Sequence, residues 1–424
     1  MIDVFKGSWA LLLGLMLLMV GNGIQGTLLG VRGALEGFST LSMSVVMACY
    51  FVGFLGGSRL TPELIRRVGH VRVFAALGSF VSAILILYSV MTDPISWSIG
   101  RVMTGFCFSG LYVTAESWLN NSVTNEHRGK ALSLYMMVQM IGIVMAQMLL
   151  VTADPAGFVL FIIPSVLVSI SFAPILLSVA PTPAFETTKP MTLKKLYQTS
   201  PLGCVGMFLL GGVFSAQYGM AGVFAADAGL NIGQISIFVS SFYVGATIFQ
   251  YPLGWVSDRM DRRLLILLVA LVATVGGLIG WMVGHVFIML LASAFIIGAT
   301  TNPLYSLMIA YTNDFLEYED MAAASGGLIF INGLGAIMGP IVTGYLMGVI
   351  GPYGYFVVIT FFLVALSGYA GWRMTQRPAK PIEDTTSYAP VSPTASVVAL
   401  EAAQEYAHDQ AAEDLEPESD KSQF

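Results

Sequence analysis

The sequence predicts an all-α integral membrane protein with twelve transmembrane helices, arranged as two pseudo-symmetric six-helix bundles. Three observations carry this. Hydrophobic residues make up 56% of the 424 positions and charged residues only 10%, where a soluble chain would carry about 25% charge. Apolar runs of about twenty residues recur along the chain, the length an α-helix needs to cross a bilayer, whereas a membrane β-barrel would alternate over strands of about ten. The second half also repeats the first at a nearly constant offset of 192 or 193 residues.

Taken in order, the first span is expected near 8–29, directly after a short N-terminus, with no small-residue cleavage site behind it. The next five fall near 39–60, 70–92, 96–117, 130–152 and 157–180, closing an N-terminal bundle at residues 1–180. A polar, proline-containing linker, 181–199, is expected to be cytoplasmic. Six more spans, near 200–222, 233–256, 262–284, 286–311, 322–346 and 353–375, make the C-terminal bundle of 200–376. Glycines are frequent in spans 1, 2, 7, 8 and 11, which suits close helix packing in lipid.

Net charge has to be divided before it is read. Ten acids and three bases lie after Gln376, so residues 377–424 have a net charge of −7 and the body +1. This tail is rich in Pro, Ser, Ala and Glu and is expected to be a disordered cytoplasmic extension, with at most a short helix through 397–413. In the body, the N-terminus, the loops after even-numbered spans and the end of the last span hold Lys6, Arg59, Arg66, Arg67, Arg72, Arg128, Lys130, Lys189, Lys194, Lys195, Arg259, Arg262, Arg263 and Arg373; the other side has only Arg32. Positive residues stay inside, so both termini are expected in the cytoplasm of a bacterium, with the chain crossing its inner membrane many times. Only the loop before span 11 breaks the pattern, with Asp314, Glu317, Glu319 and Asp320 and no base.

The repeat runs through several spans. Gln25, Gly30, Gly37 and Ser44 meet Gln217, Gly222, Gly229 and Ser236 at offset 192, and Arg67 meets Arg259. At 193, Gly105, Tyr112, Gln139 and Gly142 meet Gly298, Tyr305, Asn332 and Gly335. Because six spans is an even number, both copies run the same way, related by an axis along the membrane normal and enclosing a central cavity.

Three cysteines, Cys49, Cys107 and Cys204, fall in spans and read as reduced packing residues, and the spacing of acids, histidines and cysteines offers no metal site. No phosphate-binding glycine loop and no nucleophile–base pair is present. No cofactor is expected, and nucleic-acid binding has no support.

At Gly254–Arg263, GWVSDRMDRR, the chain resembles the loop signature of the major facilitator superfamily, with Asp261 in place of the last glycine. The first-half copy, PELIRRVGHVR, is degenerate, with Arg66 where the family has Asp. Arg101–Gly105 resembles the family's span-4 motif, implicated in proton coupling. The span-5 antiporter motif is absent from span 5, and a similar run, GAIMGPIVTG, stands in span 11. ESWLN followed by RGKALSLYMMVQMIG is similar to the YcaD-type bacterial transporters. The resemblance covers Met1 to about Gln376. It implies the family's twelve-helix fold and a secondary transporter that moves a small organic solute by alternating access, with protons as the expected driving ion and a monomer in the bilayer as the expected form.

Candidate residues follow from polarity inside apolar spans. Arg101 and Glu116 share span 4. A charge near the centre of a membrane helix costs about 2.5–3.5 kcal/mol on insertion scales. Fifteen residues separate the two, about 22 Å of rise and about 60° of rotation. They are read as the proton-coupling pair; bracing of span 4 and snorkelling to the interface are the plainer alternatives. Asn22, Gln25, Tyr112, Gln139, Gln217, Tyr218, Tyr243, Asn302, Tyr305 and Asn332 are candidates for solute contact, weighed against ordinary helix packing and hydrogen bonding between helices. Asn22-Gly23 is a possible break in span 1, and Asn302-Pro303 should loosen span 10. The resemblance further implies a cytoplasmic gate. Asp258 would face Arg128 and Lys130, and Arg66, Arg67 and Arg72 would face Asp314, Glu317, Glu319 and Asp320, with Arg259 as the repeat of Arg67; the pairs are expected only when the cytoplasmic side is shut, where they would lock the outward-open state. The alternatives are an exporter of drug-like or metabolite molecules working by proton antiport and, in another class, a membrane sensor or intramembrane enzyme. The latter would need clustered catalytic residues or a signalling domain, and the sequence has neither.

Overall fold

A computed structural model of the chain describes residues 2–121, 125–176, 191–376, 378, 380–381 and 385–404. The first bundle is built from α1 (Ile2–Leu35), α2 (Thr40–Val68), α3 (His70–Val90), α4 (Pro94–Asn121), α5 (Asn125–Leu149) and α6 (Val159–Leu176). A short amphipathic helix, α7 (Leu193–Thr199), buries Leu196 ahead of the second bundle. There, α8 (Pro201–Phe214), a π-turn at Ser215–Gly219 and α9 (Ala221–Asp227) follow one another, and α10 (Ile232–Ser257), α11 (Arg262–Val283), α12 (Phe287–Asn313), α13 (Tyr318–Ile350) and α14 (Gly354–Gln376) complete the set. Ten of the described helices are long and apolar enough to cross a membrane. The charged α4 packs on α2 and α3, and the shorter α6 packs on α1 and α3. Mid-helix residues such as Ile99, Ile248 and Phe361 are exposed, as a lipid-facing surface requires.

The repeat is visible in the backbone. Gly37 after α1 and Gly229 after α9 both take positive φ, 74° and 76°, a conformation that only glycine adopts without strain. Two residues beyond each, Ser39 and Asn231 cap α2 and α10, accepting from Ser42 N and Gln234 N. A Cβ on Gly105 would strike the Tyr50 carbonyl, and one on Gly298 the carbonyl of Phe242. Gly142 approaches the Met16 carbonyl as Gly335 approaches that of Phe208. These pairs keep the same offset, so α2–α4 repeats as α10–α12 and α1–α5 as α8–α13. Gly105→Leu or Gly298→Leu is expected to destabilise by about 1–3 kcal/mol or more, because backbone has to move. The control is Gly368→Ala, which meets nothing within 4 Å. Melting temperature and monodispersity in detergent check this.

The two bundles meet unevenly. At the face away from both ends of the helical body, they interlock. An added Cβ on Gly30 would lie 2.6 Å from Val223 N, and one on Gly222 would lie 2.8 Å from Thr27 Cα. Thr40 Oγ1 donates to Asp227 at 2.9 Å and Ser236 Oγ to the Gln147 carbonyl at 2.6 Å. One apolar core runs across the boundary there, from Ile24, Leu28 and Met47 to Phe224, Phe238 and Phe242. At the face holding the start of α1 and the end of α14, here the terminal face, each bundle keeps its own core. Residues 385–404 lie between them.

That position differs from the expectation of a disordered extension, although the short helix allowed for in 397–413 begins where expected. Val391, Ala395, Ala399, Leu400 and Ala403 are buried, and residues 397–404 are helical. The remainder of the expected 397–413 helix lies outside the described residues. One expectation about a helix break also changes. α1 runs unbroken through Asn22-Gly23, and the irregularity sits instead at the repeat-equivalent place, the π-turn Ser215–Gly219. α12 continues through Pro303 from Phe287 to Asn313.

Candidate solute cavity

Between the bundles lies a cavity of about 1280 Å³, counting its open mouth. Its walls are aromatic: Tyr50, Phe51, Phe54 and Tyr112 from the first bundle, Phe214, Tyr218 and Tyr243 from the second. Tyr218 stacks on Tyr243 with ring centroids 4.8 Å apart, and it leaves the π-turn, where the widened backbone turns it inward. Amides stand among the rings. Asn22 Nδ2 donates to Tyr112 Oη at 2.7 Å, and Asn302 Nδ2 donates to Tyr218 Oη at 2.6 Å. The first bundle thus takes its amide from span 1 and its phenol from span 4; the second takes its phenol from span 7 and its amide from span 10. Gln147 and Asn332 add to the polar lining, each also donating to a backbone carbonyl, of Gly23 and Met207.

One lining residue is charged. Arg101 is 4% exposed, and its guanidinium lies 4.4 Å from the centre of the Tyr50 ring. Its Nε has no hydrogen-bond partner, and no carboxylate among the described residues pairs with it. A cation–π contact is worth up to about 2 kcal/mol, less than the cost of holding a cation out of water, which amounts to several kcal/mol.

Glu116 is separate. It is 3% exposed and lies toward the terminal face. Tyr135 Oη donates to Glu116 Oε1 at 2.6 Å, and the Ser396 backbone N–H donates to Oε2 at 2.9 Å. About 22 Å of helix rise lies between it and Arg101, so the two do not form an ion pair.

The predicted solute contacts divide. Asn22, Tyr112, Tyr218, Tyr243, Asn302 and Asn332 line the cavity. Gln25, Gln139, Gln217 and Tyr305 are buried behind it. Gln25 donates weakly to Asn22 Oδ1 at 3.5 Å, Gln217 Oε1 accepts from Thr301, and Tyr305 sets its edge against Phe214. The exact repeat positions Gln139 and Asn332 therefore part company, and Gln147, two turns beyond Gln139, supplies the polar wall of α5. Tyr50, Phe51, Phe54, Gln147 and Phe214 were not singled out in the sequence. Apolar and aromatic residues in a span look alike whether they face lipid, core or cavity.

Among the described residues, the gate pairs expected when the cytoplasmic side is shut are not formed in this arrangement. Arg66 and Arg67 both bind Glu63 on their own helix, at 2.6 and 2.8 Å. Asp314 holds Arg262 at 2.5 Å, Asp258 accepts from Arg262 at 3.3 Å, and Asp320 takes Lys195 at 2.7 Å. Arg259 lies over Trp255, and Glu319 is exposed. The side chains of Arg128 and Lys130 lie outside the described residues. Each of the paired charges finds its partner within its own bundle or on α7, and residues 385–404 lie between the bundles at this face. Burial raises the Asp314 carboxyl above the ordinary range, against the pull of Arg262 and Thr386.

The description Major Facilitator Superfamily matches residues 11–204 and again 203–402, one match for each half. The chain belongs to the major facilitator superfamily. This membrane transporter of the superfamily is 27% identical over 347 residues to an uncharacterized MFS-type transporter, YcaD, of Salmonella arizonae, covering 80% of this chain and 88% of that protein. A second uncharacterized MFS-type transporter, from Enterobacter sp. (strain 638), is 27% identical over 342 residues with the same coverage. Among solved structures, the nucleoside transporter NupG superposes with a TM-score of 0.68 at 14% identity, covering 88% of this chain and 99% of that one. A bacterial homologue of the human lysosomal transporter Spinster, inward-facing and unoccupied, gives 0.67 at 14%, covering 95% and 98%. These likenesses establish the fold of the superfamily member.

Proposed function

We propose that this chain is a secondary transporter for a small organic anion with a planar apolar body, carried with a proton by alternating access. The observation that carries the reading is Arg101, a buried cation at the cavity wall with no carboxylate partner among the described residues. An anionic group on the solute supplies the missing countercharge, and a guanidinium fork suits a carboxylate. The aromatic walls accept a flat ring or conjugated chain, and the Asn22, Asn302 and Asn332 amides offer donors and acceptors for its edges.

The excess of Lys and Arg at the terminal face supports placing that face in the cytoplasm. With that placement, the closed opposite face and the parted terminal face support reading the arrangement as inward-facing, with residues 385–404 filling the exit. An anion moving inward works against an inside-negative potential by about 2.3 kcal/mol per charge per 100 mV. One accompanying proton cancels that term, and Glu116 is the buried carboxylate placed to take it.

Binding of purified protein to matched sets of aryl carboxylates, their methyl esters and their amines, followed by thermal shift, checks this. Carboxylates are expected to raise the melting temperature, with esters at least tenfold weaker and amines silent. Esters or amines that stabilise as well as the acids would remove the anion reading.

A further inference from the structure

We propose that residues 385–404 are a built-in plug: the chain's own segment seats in the terminal-face cleft, closes the cavity there, and has to leave before the two bundles can meet. It contacts both bundles, and the contacts are specific. On the second bundle, Thr386 N and Oγ1 donate to Asp314 at 2.9 and 3.0 Å, and its carbonyl accepts from Arg262. Tyr388 N donates to Asp258 at 2.8 Å, and Gln250 donates to the Tyr388 hydroxyl at 3.0 Å. Val391 exchanges both backbone groups with Ser306 Oγ, and Gln404 donates to Asn313 and Ser325. On the first bundle, the Ser396 N–H sits on Glu116, and Val398 packs against the core.

Ser392, Pro393 and Thr394 are part of the cavity wall. A solute leaving toward the terminal face meets these three residues. The opposite state of an alternating-access cycle brings the terminal halves of the bundles together, where buried Val391, Ala395 and Leu400 now stand. Both steps require the segment to withdraw. Its sequence suits reversible seating: small residues at 395, 399 and 403 fill a narrow cleft at little apolar area each, and the polar contacts are of a kind water can replace.

The body is shaped for the plug as well. A Cβ on Gly254 would lie 2.5 Å from the Tyr388 ring, so Gly254→Leu should eject the segment from the body side. Ser396→Pro removes the N–H on Glu116 and changes only the segment. Both are made in the full chain with Cys49, Cys107 and Cys204 replaced by Ser. Spin labels at Arg66→Cys and Ser387→Cys are expected to give one narrow distance distribution in the parent and a broad one in each variant. Ile329→Cys, on the cavity wall, is expected to react with an impermeant maleimide from the terminal face at least tenfold faster in each variant. A broad distribution in the parent, or a labelling rate unchanged or slower in the variants, overturns the plug. If Gly254→Leu does not fold, Ser396→Pro decides alone. Neither readout needs the solute, so the result stands apart from the anion reading.

Discussion

Arg101→Gln is expected to abolish measurable binding of the anionic solute. Removing one partner of a desolvated charge pair costs about 2–5 kcal/mol, much of it from stranding the other charge. At about 1.4 kcal/mol per decade, that is a loss of roughly 30- to 4000-fold in affinity. Arg101→Lys should retain part of it, since an ammonium keeps the charge but gives up the planar fork and much of the stacking on Tyr50. The solute-free protein should behave oppositely. Arg101 is 4% exposed and its Nε is unpartnered, so Arg101→Gln should melt no lower than the parent. Calorimetric titration and melting curves for the three proteins check this. Unaltered affinity in Arg101→Gln would mean that Arg101 only braces α4 against α2.

The fold was legible because its signals repeat. Twenty-residue apolar runs, a steady offset and glycines at equivalent places mark helices that pack backbone to backbone, and the pairs Gly105–Tyr50 and Gly298–Phe242 bear this out. The cavity was half legible. Polar residues in spans were easy to find, but facing cannot be read from polarity alone: Gln139 and Gln217 hydrogen-bond or pack behind the wall that Asn22 and Asn302 line. Exact twofold reasoning failed at Gln139 for the same reason, since two helices can repeat while their inward residues differ by two turns. The seating of 385–404 was not legible. Alanines at helical spacing give little hydrophobic signal, and their burial depends on a cleft made by residues far away in the chain. The charges of the expected gate were found correctly as charges, but Asp314 is buried against Arg262, and the exposed charges pair with whatever is near, in pairs worth about 0–1 kcal/mol. Glu63 lies one turn from Arg67, so it takes Arg66 and Arg67 while the bundles are apart.

Glu116→Gln is expected to separate the proton from the solute. The carboxylate has two hydrogen-bond donors and, among the described residues, no basic partner. Glutamine has the same shape and one of the two acceptors, so the cavity about 22 Å of helix away should be undisturbed. It cannot carry a proton. In proteoliposomes, uphill uptake driven by a pH gradient should therefore fall to background, while exchange of labelled for unlabelled solute at equal pH stays within about twofold. The parent gives the charge balance: if one proton accompanies one monoanion, uptake moves no net charge, and clamping the membrane potential should leave its rate unchanged. A parent that responds steeply to potential would break the one-to-one stoichiometry. A Glu116→Gln protein that still concentrates solute down a pH gradient would place the proton elsewhere. The buried acid at Glu116 would then serve only to hold Tyr135 and the Ser396 N–H, and the plug would be its sole function.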